Sequence, residues 1–131
     1  MGITNKDRVE QFKRDCKSVS YYNKVICYCD EQIRLYDEIL TQVGEQKQDE
    51  SINPKAILLE QEKLMAEKTK KEEWLQEIYE RINQIADNID RQMVIDAFIK
   101  GLYYKKLVNE YHFNDSSALY RHINRIIDKI V

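Results

Sequence analysis

The sequence predicts an all-α protein, with a long antiparallel helical hairpin of coiled-coil type followed by a C-terminal helix-turn-helix domain. Three observations lead there. Three glycines and one proline in 131 residues are too few for the turns of a sandwich or barrel. Apolar residues recur at alternating steps of three and four over two long stretches. The last 31 residues read as a short helix, a tight corner and a longer helix.

The first stretch runs from Val19 to Val43, with Val19, Tyr22, Ile26, Cys29, Ile33, Tyr36, Leu40 and Val43 on one seam. Val9, Phe12 and Cys16 continue the rhythm upstream, and Lys17 to Ser20 marks either a kink or a break. Residues 44–53 form a polar connector, with Gly44 where a helix end with positive φ is wanted. Asn53-Pro54 then reads as an N-cap followed by proline at the first helical position. The second long helix runs from Pro54 into the upper eighties on Ile57, Leu64, Leu75, Ile78, Ile82, Ile85 and Ile89. Gln61, Lys68 and Lys71 share its stripe, so Glu67–Glu73 reads as a solvated stretch of the zipper. Two such helices joined by ten residues should fold back on each other, or else pair between chains as a homodimer. The domains implied are 1–88, the hairpin, and 89–131, the helix-turn-helix domain.

Off the seams, Tyr21, Tyr28 and Tyr79 suggest a second packing surface, while Trp74 beside Leu75 reads as packing. Cysteines 16, 27 and 29 are odd in number, and the last two project in different directions. Free thiols in a reducing cytoplasm are expected. No apolar run suits a membrane span, and Met-Gly-Ile-Thr-Asn-Lys lacks a secretory core.

In the C-terminal region, Met93, Val94, Ala97, Phe98 and Leu102 make one amphipathic helix over about 88–102. A second covers about 104–111 with Leu107, Val108 and Tyr111 inward. His112 to Asp115 forms the corner, plugged by Phe113. Asp115 or Ser116 caps a third helix whose inner face is Leu119, Ile123, Ile126 and Ile130.

Left outside are Ser117, Tyr120, Arg121, Asn124, Arg125 and Asp128. Arginine and asparagine at such a helix suit guanine and adenine edges in the major groove of double-stranded DNA. Ser116 and Ser117 at the helix start, and Lys105 and Lys106 before it, suit phosphates. The net charge of −2 excludes a general polyanion binder. Residues 90–131 nevertheless carry seven Lys/Arg against five Asp/Glu on a chain whose remainder is acidic.

Gly101-x-x-Tyr104-Lys105-x-Leu107-Val108-x-x-Tyr111-x-Phe113, then Ser116-Ser117-x-Leu119-x-Arg121-x-Ile123-x-x-Ile126-x-x-Lys129-Ile130, resembles region four of bacterial sigma factors. The layout of charged hairpin plus this module resembles phage and prophage regulators of the RinA and ArpU late-gene activator type. The departures are His112 at the corner usually held by glycine, Tyr103 for a small hydroxyl residue and Lys106 for an acidic one. The resemblance implies a DNA-binding transcriptional regulator with the helix at about 116–130 in the major groove, and contact with RNA polymerase. Two other readings stand beside it: an adaptor that binds RNA polymerase or a host factor without DNA, and a small-terminase-like DNA-packaging subunit. An enzyme is not expected, since no Gly-rich phosphate loop, partnered nucleophile or metal-ligand cluster is present. His112 and His122 are isolated, and no cofactor is implied.

Overall fold

The computed structural model describes residues 2–45 and 52–131. They form helices α1 (Asn5–Lys17), α2 (Val19–Glu45), α3 (Pro54–Asn83), α4 (Asn88–Val94), α5 (Tyr104–Glu110) and α6 (Ser116–Asp128). A π turn over Ile95–Ile99 continues α4, and no strand occurs among the described residues. The connector expected at 44–53 lies largely outside the described residues, and α2 runs through Gly44 to Glu45.

Local sequence sets most helix starts. Thr4 accepts from the Asp7 N–H at 3.1 Å while Asp7 accepts from the Thr4 N–H, a reciprocal cap for α1. The Asn53 side chain accepts from the Lys55 N–H at 3.1 Å ahead of Pro54, as the sequence suggests for α3. Asp87 caps α4 through the N–H groups of Ile89 and Asp90. Between α1 and α2 the chain breaks at Ser18, whose hydroxyl and N–H both bond the Arg14 carbonyl.

The contacts divide the chain into two units, Met1–Ser20 with Leu75–Val131, and Tyr21–Trp74. This division differs from the boundary expected after residue 88. The first unit gathers α1, the last turns of α3, and α4 to α6 around Val9, Phe12, Cys16, Ile78, Ile82, Ile85, Met93, Val94, Phe98, Leu107, Leu119, Ile123 and Ile127. Helix α1 lies against α6 and the π turn, and α4 and α5 also contact α6. Val9, Phe12 and Cys16 thus serve this core and do not extend the seam of α2. Burial pushes the Cys16 thiol up to about 12, which keeps it protonated.

The second long helix ends earlier than expected, at Asn83. Ile89, read as its last seam residue, lies in the first turn of α4 and is 64% exposed. The helix expected over 88–102 is also altered. At the π turn the Lys100 N–H reaches back five residues to Ile95, and Leu102 reaches Asp96. Gly101, with φ +69°, then ends the segment in the left-handed region. The Asp96 carboxylate is buried there, accepting from the Tyr111 hydroxyl at 2.6 Å and Gln92 at 2.8 Å, with Lys100 at 3.3 Å.

Within the second unit, Tyr22 meets Trp74, Asp30 meets Lys68, and Ile33 and Asp37 meet Gln61. Rising numbers on α2 meet falling numbers on α3, so these segments run antiparallel. Their seam is mostly half-buried, with Cys29 and Lys71 fully covered. In the Glu67–Glu73 stretch Glu67, Thr69, Lys70, Glu72 and Glu73 are exposed, as its composition suggests, while Lys68 is half-buried and Lys71 buried on the seam. Lys71 lies over the Trp74 ring at 4.3 Å and pairs with Glu67 at 2.9 Å, and Lys68 pairs with Asp30 at 2.6 Å. The hydrogen bond to Glu67 raises the Lys71 pKa, and that to Asp30 raises the Lys68 pKa. Long aliphatic stems let lysine cover a seam while its ammonium finds a carboxylate.

Candidate nucleic-acid interface

Helix α6 is the strongest amphipath of the C-terminal region. Leu119, Ile123, Ile126 and Ile127 are buried at helical steps. Ile127 takes the place expected of Ile130, which lies beyond the helix end at Asp128 and is half-buried. Asp115 provides the cap, accepting from the Ala118 N–H at 2.7 Å, so Ser116 stands inside the helix.

The corner between α5 and α6 is built on His112, whose φ is 59°. The Phe113 N–H donates to the Val108 carbonyl at 3.0 Å, six residues inclusive, which closes α5 as a Schellman motif with His112 in the left-handed position. His112 thus adopts the geometry that glycine would take most easily. Phe113 is half-buried, with its ring 5.4 Å from that of His122. His122 in turn meets Asp90 of α4 at 2.9 Å, a partner the sequence spacing concealed.

The eight residues singled out from the sequence fall into two groups. Lys105, Lys106, Ser116, Ser117, Arg121 and Arg125 are exposed. Tyr120 and Asn124 are drawn toward α1. Tyr120 is 41% exposed, but the Lys13 ammonium lies 4.3 Å from its ring centre and Tyr104 meets it edge-on at 6.1 Å. Asn124 is half-buried; its side-chain oxygen is enclosed and accepts no hydrogen bond among the described residues. Asn124 thus lies at the α1 flank rather than on the expected outer face, with its oxygen not free to accept from an adenine in this conformation. Asp128 is held by the Asn5 side chain.

Between α1 and α6 runs a groove of about 500 Å³ lined by Lys6, Val9, Glu10, Tyr120, Asn124, Arg125 and Asp128. Lys13, buried beneath it, is 5.8 Å from the Phe98 ring centre and 3.2 Å from Glu10. Burial raises the Tyr104 pKa, helped by neighbouring Tyr120 and Glu10, so its hydroxyl stays neutral. The apolar stripe of α1 was legible, but nothing in its spacing named α6, more than a hundred residues away, as its partner. The exposed polar face of α6 is thus narrower than the sequence implied, and centres on Ser116, Ser117, Arg121 and Arg125. A guanidinium offers a planar fork of donors suited to a guanine edge or a phosphate.

Comparisons with protein-family models, with curated proteins and with solved structures found no match. Among the described residues no three His, Cys, Asp or Glu side chains gather as a metal would require. No helix of these residues is long and apolar enough to cross a membrane.

Proposed function

We propose that the chain is a DNA-binding transcriptional regulator of phage or prophage type. On this reading α5, the His112 corner and α6 form a helix-turn-helix, and α6 enters the major groove. Residues Tyr21–Trp74 act as a coiled-coil-like hairpin arm. The observation that carries it is the pairing of a fully buried aliphatic side of α6 with exposed Arg121 and Arg125 on the other. Lys105 and Lys106, exposed on the preceding helix, fit backbone phosphates. Asn124 has no reading role in this version.

Binding of duplex DNA measured against salt tests the proposal. Affinity should fall steeply with rising salt, and Lys105→Ala with Lys106→Ala should make the log–log slope shallower by about 2. Arg121→Ala with Arg125→Ala should cost at least about 1–3 kcal/mol and blunt discrimination between sequences. Unchanged binding by the arginine pair would remove α6 as the recognition element.

A second reading, an adaptor that engages RNA polymerase or a host factor without touching DNA, draws on exposed Tyr21 and Tyr28 in the second unit. Retention of polymerase on the immobilised protein, with no shift of any DNA probe, favours it.

A further inference from the structure

Helix α1 presents a second, different groove on the flank away from Tyr120. It measures about 600 Å³ and is lined by Ile3, Asp7, Arg8, Gln11, Arg14, Arg81 and Val131. Three guanidinium side chains from two helices line it, with Asp7 as the one acidic side chain among them. That carboxylate is committed: Asp7 caps α1, and the hydrogen bonds from Thr4 lower its pKa, helped by Lys6 and Arg14. Gln11 is committed too, donating to Asp15 at 2.8 Å and accepting from Arg14 at 2.9 Å. Among the described residues no carboxylate pairs with Arg8, Arg14 or Arg81, whereas the ion pairs that do form use other cations. Ile3, 71% exposed, and Val131 add apolar surface beside the charge.

We propose that this groove docks an acidic segment of a partner protein, with carboxylates on Arg8, Arg14 and Arg81 and an apolar side chain on Ile3 and Val131. The ligand class follows from charge complementarity and from position. Arginine is suited to carboxylate pairing because its fork donates two parallel hydrogen bonds. Val131 lies past the C-terminal end of α6, whereas a helix-turn-helix addresses bases from the N-terminal part of its second helix. Thirteen residues of helix span about 20 Å, so the groove stays open to a second ligand while the other end of α6 meets DNA. The apolar side chains of Ile3 and Val131 beside the arginines fit a peptide better than a sugar-phosphate backbone. The proposal goes beyond the DNA-binding reading and does not depend on it.

Fluorescence anisotropy of the full-length chain with a labelled peptide of alternating Glu-Leu-Asp units tests the proposal. A Gln-Leu-Asn version serves as the neutral control. The acidic peptide should bind saturably, the neutral one at least ten-fold more weakly, and Arg8→Glu with Arg81→Glu should abolish binding. All three arginines are exposed, and thermal unfolding of the variant should match the parent. Arg121→Ala with Arg125→Ala should leave peptide affinity unchanged, which separates this site from the α6 face. Equal binding by the Arg8/Arg81 variant, no binding by the parent, or displacement of the peptide by a 20-base-pair duplex would each overturn it. A rise in solution mass with concentration that the Arg8/Arg81 variant abolishes would overturn it in favour of a second copy as the occupant.

Discussion

At the scale of single residues, two positions carry conformations or charges that most sequences avoid. His112 sits at φ 59° with a full side chain, whereas Gly101 at φ +69° has none. Left-handed strain costs about 1–2 kcal/mol for a non-glycine residue, against about 0.5–1 kcal/mol for the extra freedom of glycine in the unfolded chain. His112→Gly should therefore raise stability by about 0.5–1 kcal/mol in urea unfolding. Gly101→Ala should lower it by a similar net amount, strain less the entropy of glycine, with no added clash because a Cβ there meets nothing within 4 Å. Asp96 is the second case. Burial acts to raise its pKa, but hydrogen bonds from Tyr111, Gln92 and Lys100 outweigh burial and hold it below the ordinary value. The same contact, together with burial, pushes the Tyr111 hydroxyl well above its usual range, so it remains a donor. A depressed folded-state pKa means that Asp96 contributes stability above the unfolded value of about 3.9 and loses it as pH falls through the folded value. Urea midpoints taken from pH 6 down to pH 2 should decline below about pH 4. Asp96→Asn should flatten that limb while lowering stability at pH 7.

At the scale of elements, α1 is the piece whose role the sequence misdirects. Its apolar positions Val9, Phe12 and Cys16 keep the same three-and-four rhythm as the seam of α2, and rhythm alone says which face is buried but not against what. The break at Ser18 lets α1 leave the path of α2. Its stripe then enters the core with α6 and the π turn, where Phe12 is fully buried. Phe12→Ala should cost about 3–5 kcal/mol. Hydrogen exchange should locate the loss in α4 to α6 as well as in α1; confinement of the loss to residues 1–45 would place α1 outside this core. Helix α6 is the opposite case. Its inner face was legible to within one residue, because four aliphatic side chains at helical steps allow only one solution. Its outer face was less so. The sequence leaves every polar residue off the apolar stripe looking free, and Tyr120, Asn124 and Asp128 turned out to face a neighbour.

At the scale of the whole molecule, residues 1–20 share one compact unit with 75–131. The fragment 89–131 holds the proposed helix-turn-helix but lacks Val9, Phe12, Cys16, Ile78, Ile82 and Ile85, all buried in the same core. That fragment should show no cooperative thermal transition by circular dichroism, whereas the full chain should. A sharp transition from the fragment would support the boundary at residue 88.

Much of this was settled by composition and spacing alone. Few glycines, heptad steps, Asn53-Pro54 and the aliphatic side of α6 specify helices, most of their starts and their buried faces, because those features act within a few residues. The partner of each face is another matter. That α1 covers Tyr120 and Asn124, that Asp90 meets His122, and that Arg8, Arg14 and Arg81 converge on one groove depend on contacts between residues far apart in sequence. Helical periodicity gives direction around an axis but holds no information about which distant axis lies opposite, so only the tertiary structure could decide them.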